Sequence, residues 1–245
     1  MFPITHYYLE QQFYEPTPLL AIGGIFPDIA AACGMDRNEA HLCGRELVDF
    51  CKENFPDAID FACGVYLHGS REGGADYYAD EFWEGGEKGW CFQYGKQYMN
   101  EVAEATQLDE QFVWWKSHNF AELGLELITD LRYPYLKGDL LHSLQNKQAQ
   151  AQAAEVMKAF AHINSKKLLR VLEDAENIFE LKNINVFSLA VNQHRGIIRR
   201  FDSDKSDIAK MAVVIKHISE DMLRNDDYDR FMLAVQEKMS ASLPL

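Results

Sequence analysis

Basic residues are scarce in this chain. Its 245 residues hold 24 Lys and Arg against 38 Asp and Glu, a formal net charge of −14, with a pI of about 5.0. Such a surface repels phosphate backbones, which excludes broad electrostatic binding to nucleic acid. A bound cation would still attract a phosphate locally, because the ion's own charge dominates its site. Long apolar runs are also missing. The longest, residues 18–33, is interrupted by Gly23, Gly24, Pro27 and Asp28 and is too short to span a bilayer. The segment Met1-Phe2-Pro3-Ile4-Thr5-His6 has no basic n-region and no apolar h-region, so it does not read as a signal peptide. The five cysteines, Cys33, Cys43, Cys51, Cys63 and Cys91, form no C-x-x-C pair and sit in apolar segments. They are expected to be buried free thiols, and the chain is expected to be cytoplasmic.

Period-2 alternation is hard to find, whereas 3.6-residue periodicity is widespread. With 47% apolar residues the chain can bury a substantial core. Helices are expected over residues 38–54, from Pro56 to Gly69, and over 75–83, 90–105 and 108–129. Further helices are expected within 140–174, as one or two, and over 175–181, 185–201, 205–223 and 227–240. The fold class is therefore all-α, with roughly nine to twelve helices. The character of the sequence shifts near residue 130. Residues 1–130 are read as a metal-binding helical core, and 131–245 as a plainer helical part packed on it as one domain.

The chemistry concentrates in the first half. His118 and Glu122 stand four apart in Trp114-Trp115-Lys116-Ser117-His118-Asn119-Phe120-Ala121-Glu122, one above the other on a helix face, where they can share a cation. Asp76 and Asp80 repeat the spacing, and as like charges they repel unless a cation lies between them. His6, Asp28 and His68 add single donors. Three imidazoles and four carboxylates make a nitrogen–oxygen set without thiolate. That set suits Zn²⁺, with Fe or Mn²⁺ as alternatives, and is large enough for more than one ion. Two such ions are a usual arrangement for attack of an activated water on a phosphoryl centre. A carboxylate not fully used by the metals, Asp28 or Glu122, would be the general base. Each residue also has a plain reading: His118/Glu122 as a surface pair, Asp76/Asp80 as a solvated acidic face, and Asp28 as a helix cap. An HD-type phosphohydrolase needs adjacent His-Asp, and no His here is followed by Asp.

The order of these motifs carries a resemblance. Thr5-His6, then Pro27-Asp28, Leu67-His68-Gly69, Asp76-x-x-x-Asp80 and His118-Asn119-Phe120-x-Glu122 together resemble the zinc-dependent phospholipase C family, which includes a large uncharacterised bacterial branch and is akin to S1/P1-type nucleases. The resemblance covers about residues 4 to 127, through short motifs alone. It implies an all-α, phospholipase C-like bundle with two or three metal ions at the bottom of a cleft, hydrolysing phosphodiesters. His6 would match the family's early His, Asp28 its Asp, His68 the His that follows, and His118 and Glu122 its His-x-x-x-Glu. The family's middle motif is His-x-x-x-Asp; Asp80 fits its Asp, but Asp76 stands where the family has His. A later His of the family has no counterpart, and Met1 stands where secreted members use an N-terminal Trp. These departures point to a carboxylate-rich site of one or two ions, so that one to three ions are expected in all.

In the second half, Asn192-x-His194-Arg195 with Arg199 and Arg200 forms a basic patch. It would either receive a phosphate-bearing substrate or lie against an acidic face of the same chain. The expected function is metal-dependent hydrolysis of a small phosphate ester, a phosphodiester above all. The competing expectation is a non-catalytic helical binding protein that retains a degenerate metal site.

Overall fold

Thr17 and Pro18 begin the helix around which the others are arranged. Thr17 Oγ1 accepts the Leu20 N–H at 3.1 Å and donates to Asp60 at 2.8 Å, and Pro18 takes the first helical position, where an N–H would go unused. The computed structural model describes residues 3–243. Among the described residues there are 15 α-helices, a few short 3-10 and π turns, and no strand. The protein is an all-α bundle.

The first half runs α1 (Pro3–Glu10), α2 (Pro18–Cys33), α3 (Arg37–Leu42), α4 (Gly44–Asn54) and α5 (Ile59–His68). A π turn at Tyr77–Glu81 precedes α6 (Trp90–Gly95), α7 (Met99–Thr106) and the long α8 (Glu110–Arg132). There follow α9 (Tyr135–Leu144), α10 (Lys147–Ala161), α11 (Ser165–Glu173), α12 (Ala175–Ile178), α13 (Val186–Phe201), α14 (Ile208–Arg224) and α15 (Asp227–Ser240). α2 packs most extensively on α5, while α8 is bordered by α1, α6, α7 and α14. Helices of the second half close the outside: α9, α10 and α11 lie on α2, and α13 packs on α14. Phe26, Phe61, Phe120 and Phe231 are among the fully buried large side chains of this core, where burial of apolar surface supplies most of the favourable free energy. No helix among the described residues is long and apolar enough to cross a membrane.

Several boundaries differ from those expected. Residues 38–54 form two helices because the His41 carbonyl accepts the Ser70 N–H at 2.8 Å and is diverted from continuing the helical ladder. Residues 90–105 are interrupted by a 3-10 turn at Lys96–Tyr98, and residues 140–174 hold the ends or whole of three helices rather than one or two. Two helices have no counterpart in the sequence reading. One is α1; the other is α2, which continues through Gly23, Gly24 and Pro27.

Candidate metal centre

Five helices and one turn present their ligand-type side chains to a single region. Pro27 has no N–H to give to the Gly23 carbonyl, a local defect in α2. One residue along, the Gly24 carbonyl accepts the Nδ1–H of His68 at 2.6 Å. That bond fixes the tautomer of His68 and turns Nε2 towards Asp76, whose Oδ2 lies 3.2 Å away. Asp76 Oδ1 lies 3.2 Å from Nε2 of His6, and the His6 and His68 rings stack with centroids 3.8 Å apart. One carboxylate therefore faces two imidazoles through two different oxygens.

A third imidazole belongs to the same group. His41, absent from the sequence reading, donates its Nδ1–H to the Arg37 carbonyl at 2.7 Å. Its Nε2 lies 3.6 Å from Asp76 Oδ2 and 3.7 Å from Asp28 Oδ1. Asp28 is half-buried inside α2 and is not a helix cap. In each of His6, His41 and His68 the Nε2 is buried without a hydrogen-bond partner. A neutral imidazole whose Nδ1–H is already given away can only offer a lone pair at Nε2. A lone pair aimed at a carboxylate oxygen is unfavourable unless a proton or a metal cation lies between them.

The second part of the site is built on α8. His118, Glu122 and Asp80 bring one ligand atom each to within 4.8 Å of one another. His118 and Glu122 are buried, so the surface-pair reading does not hold. Asn119 Nδ2 lies 3.0 Å from His118 Nε2 and donates to Glu122 Oε2 at 3.0 Å. Lys116 Nζ donates to Asn119 Oδ1 at 3.3 Å and to Gln193 Oε1 at 3.0 Å, an outer layer that holds the amide in place. Asp76 and Asp80 do not share one group: Asp76 joins His6 and His68, and Asp80 joins His118 and Glu122. The π turn is the reason. Its wider winding removes the α-helical stacking of residues four apart, a distortion frequent at functional sites.

The seven residues expected from sequence, His6, Asp28, His68, Asp76, Asp80, His118 and Glu122, thus fall with His41 into three adjoining groups. Their electrostatics are those of crowded acids beside buried imidazoles. Burial lowers His6 to about 4, helped by the charge of His68, and burial likewise lowers His118 to about 4. Both are therefore neutral, ligand-competent bases at neutral pH. Burial and then the charges of Glu122 and Asp76 push the Asp80 carboxyl well above its usual range. Burial opposes ionisation of Asp76 too, yet the neighbouring His68 and His6 help to hold it well below that range. Burial works against protonated His41, but the adjacent Asp28 and Asp76 carboxylates raise it. A cavity of about 480 Å³ leads to the cluster, lined by Arg37, His41, Ser70, Asp76, Asp80 and Glu81 among others.

No family model, no curated protein and no solved structure matches this chain. The site has to be interpreted from its own residues.

One further carboxylate, not anticipated from the sequence, positions His6. Glu126 lies one α8 turn beyond Glu122 and is buried. It accepts the Ile4 N–H at 2.9 Å, the Thr5 N–H at 2.8 Å and the Thr5 hydroxyl at 2.7 Å. The first turn of α1 is thereby pinned to α8. Burial pushes Glu126 up to about 7, with these three donors working in the opposite direction. A carboxyl whose pKa is raised on folding stabilises the fold fully below its unfolded value and loses that contribution as pH rises through the folded value. The window is therefore about pH 4.5 to 7. Across it, unfolding of wild type is expected to lose about 3 kcal/mol relative to Glu126→Gln, which has no proton to release. Urea melts of both proteins at several pH values measure this, and parallel pH profiles would refute it.

Proposed function

We propose that the protein is a metal-dependent hydrolase of a phosphate ester, with phosphodiesters as the substrate class. One observation carries the reading. Three buried histidines have Nε2 atoms without hydrogen bonds, and for His41 and His68 a backbone carbonyl sets the orientation, so that each points at acidic oxygens. Cations are the species such an arrangement accommodates. The donors are imidazole and carboxylate, which suits Zn²⁺, with Fe or Mn²⁺ as alternatives.

Asp76 would hold a cation with His6 and His68, beside a second position at Asp28, His41 and His68. Asp80, His118 and Glu122 would supply a third. Ions held there would polarise a phosphoryl group and lower the pKa of a bound water. The chain's own residues do the remaining work. Arg37 and Gly24 carbonyls orient His41 and His68, and Asn119 orients Glu122. Of the two carboxylates considered as general base, Asp28 keeps contact with solvent, at 21% side-chain exposure. Glu122 is closed in and bonded to Asn119. Asp28 is therefore assigned as the base. The arrangement is in keeping with the phospholipase C-like resemblance, although Asp76 would stand where that family has His, and its later His has no counterpart.

The test is plasma mass spectrometry on untagged protein purified without chelator, followed by assay on bis(p-nitrophenyl) phosphate. Between about one and three equivalents of metal are expected, with His118→Ala losing bound metal and hydrolysis together. Metal below about a tenth of an equivalent after incubation with Zn²⁺, Fe²⁺ and Mn²⁺ would leave the helical binding protein as the reading.

A further inference from the structure

The segment that delivers Asp76 has little of its own to hold it in place. Gly69-Ser70-Arg71-Glu72-Gly73-Gly74-Ala75 leaves α5 after His68 and must turn back, because Asp76 Oδ2 lies 3.2 Å from Nε2 of that same histidine. Three of these seven residues are glycines, and Ala75 is the one apolar side chain among them. Such a segment loses much conformational entropy on ordering and has almost no packing to offset it. Hydrogen bonds have to set its course. At its base, the Ser70 N–H donates to the His41 carbonyl at 2.8 Å, and the Tyr77 N–H to the Gly69 carbonyl at 3.1 Å. The Arg71–Glu46 ion pair is exposed on both sides and adds little.

The apex of the segment, at Glu72 and Gly73, rests on a hydroxyl. Tyr66 is buried on α5, two residues before His68. Its oxygen accepts from the Arg45 guanidinium at 3.1 Å. Its proton is directed at the Ser242 carbonyl at 2.5 Å, with the Glu72 carbonyl at 3.3 Å. Gly73, at φ +98°, comes so close that an added Cβ would lie 2.1 Å from the Tyr66 hydroxyl oxygen and 3.1 Å from Cβ of Ser242. Ser242 is in turn held in place by α15, which ends two residues before it. Phe231 of α15 is buried against Trp83 and Trp90, with ring centroids 5.3 and 4.3 Å away. Lys238 pairs with Glu84 at 2.6 Å. Helix α15 thus grips the chain beyond Asp80 as well as before Asp76.

We propose that the Tyr66 hydroxyl, tied to Ser242, positions Asp76 between His6 and His68. The end of α15 would then set the geometry of a cation site to which it gives no ligand. Tyr66 acts through the Glu72–Gly73 apex, as a positioning residue. The proposal rests on the metal reading of Asp76 for its consequence, but not for the placement itself.

Tyr66→Phe tests it, since it removes the hydroxyl and keeps the ring that lies 5.3 Å from the Arg45 guanidinium. Tyr98→Phe is the matched control: its ring is buried, its hydroxyl donates to Asp221 at 2.9 Å, and it belongs to none of the ligand groups. Amide hydrogen exchange on metal-free protein reads the placement and needs no cation. In Tyr66→Phe the Gly74 and Tyr77 amides should exchange at least roughly tenfold faster, with those of α8 unchanged. Calorimetric zinc titration, at a temperature where both variants are fully folded, reads the consequence. At least one equivalent should bind roughly 10–100-fold more weakly in Tyr66→Phe, and as in wild type in Tyr98→Phe. Wild-type exchange at Gly74 and Tyr77, or equal losses of zinc affinity in the two variants, would overturn the proposal. Should Tyr66→Phe fail to fold, removal of residues 242–245 takes away the Ser242 carbonyl and leaves α15 whole. The same faster exchange is expected there, and its absence would overturn the proposal equally. If wild type binds no zinc while Tyr66→Phe still loosens Gly74 and Tyr77, the metal reading falls and the positioning of Asp76 stands.

Discussion

Asp76→Asn is expected to abolish hydrolysis of phosphodiesters and to remove at least one equivalent of bound metal. The substitution keeps the shape of the side chain and its volume in a buried position, so the packing around it is unchanged. What changes is that one of two carboxylate oxygens becomes an amide N–H₂. Those oxygens lie 3.2 Å from Nε2 of His6, 3.2 Å from Nε2 of His68 and 3.6 Å from Nε2 of His41. An amide can still offer one oxygen, but its nitrogen donates a hydrogen bond to an imidazole lone pair and so occupies the atom a cation needs. The position held by Asp76 is therefore damaged, and with it the neighbouring one whose His41 it also faces, and a loss of at least about 1000-fold in rate, some 4 kcal/mol, is expected. Zinc should raise the melting temperature of wild type, since binding to the native state alone is worth about 4 kcal/mol at a thousand times Kd. Asp76→Asn should lose most of that increase while melting cooperatively without metal. A variant that keeps both its metal and its rate would show that the centre of the site lies elsewhere.

The parts of this site that were legible in sequence are those set by local geometry. His118 and Glu122 lie on an uninterrupted helix, and their spacing alone places them in one group. Glu126 continues the same face by another four residues, and following the period one step further would have found it. His6, Asp28 and His68 were legible only through their order along the chain. Nothing in their own neighbourhoods requires them to meet, because the contact between α1, α2 and α5 is made by packing. His41 was not legible at all. It sits in a six-residue helix whose orientation depends on its own carbonyl bonding to Ser70. Asp76 and Asp80 misled for a physical reason. The α-helical spacing rule fails in a π turn, and no local signal announced one. Helix α2 was hidden by Gly23, Gly24 and Pro27, residues that read as breakers in isolation. The two glycines become requirements once α5 lies against Gly23 and Glu10 of α1 against Gly24.

That requirement makes Gly64→Ala the most informative substitution in the core. A Cβ at Gly64 would lie 2.3 Å from the Leu20 carbonyl oxygen and 2.9 Å from the Gly23 Cα. One at Gly23 would lie 2.1 Å from the Phe61 carbonyl oxygen. These neighbours are backbone atoms of a facing helix, which no rotamer change can move aside. Helices α2 and α5 must separate instead. Overpacking of this kind typically destabilises by about 1–3 kcal/mol, occasionally more. The separation also pulls at the bond from His68 Nδ1 to the Gly24 carbonyl, worth about 1 kcal/mol. Because α2 carries Asp28 and α5 ends at His68, the strain reaches the site directly. Gly64→Ala is expected to unfold about 2–4 kcal/mol more easily and to bind zinc roughly 10–100-fold more weakly. Gly138→Ala supplies the control: it lies in α9, exposed, with nothing within 4 Å of an added Cβ. There the helix propensity of alanine should stabilise by about 1 kcal/mol and leave zinc affinity unchanged. Chemical denaturation with and without zinc reads both effects. If Gly64→Ala loses stability but keeps wild-type zinc affinity, the α2–α5 crossing supports the fold without setting the geometry of Asp28 and His68. If the two losses appear together, the glycine contact that hid α2 in the sequence is also what holds the ligands in register.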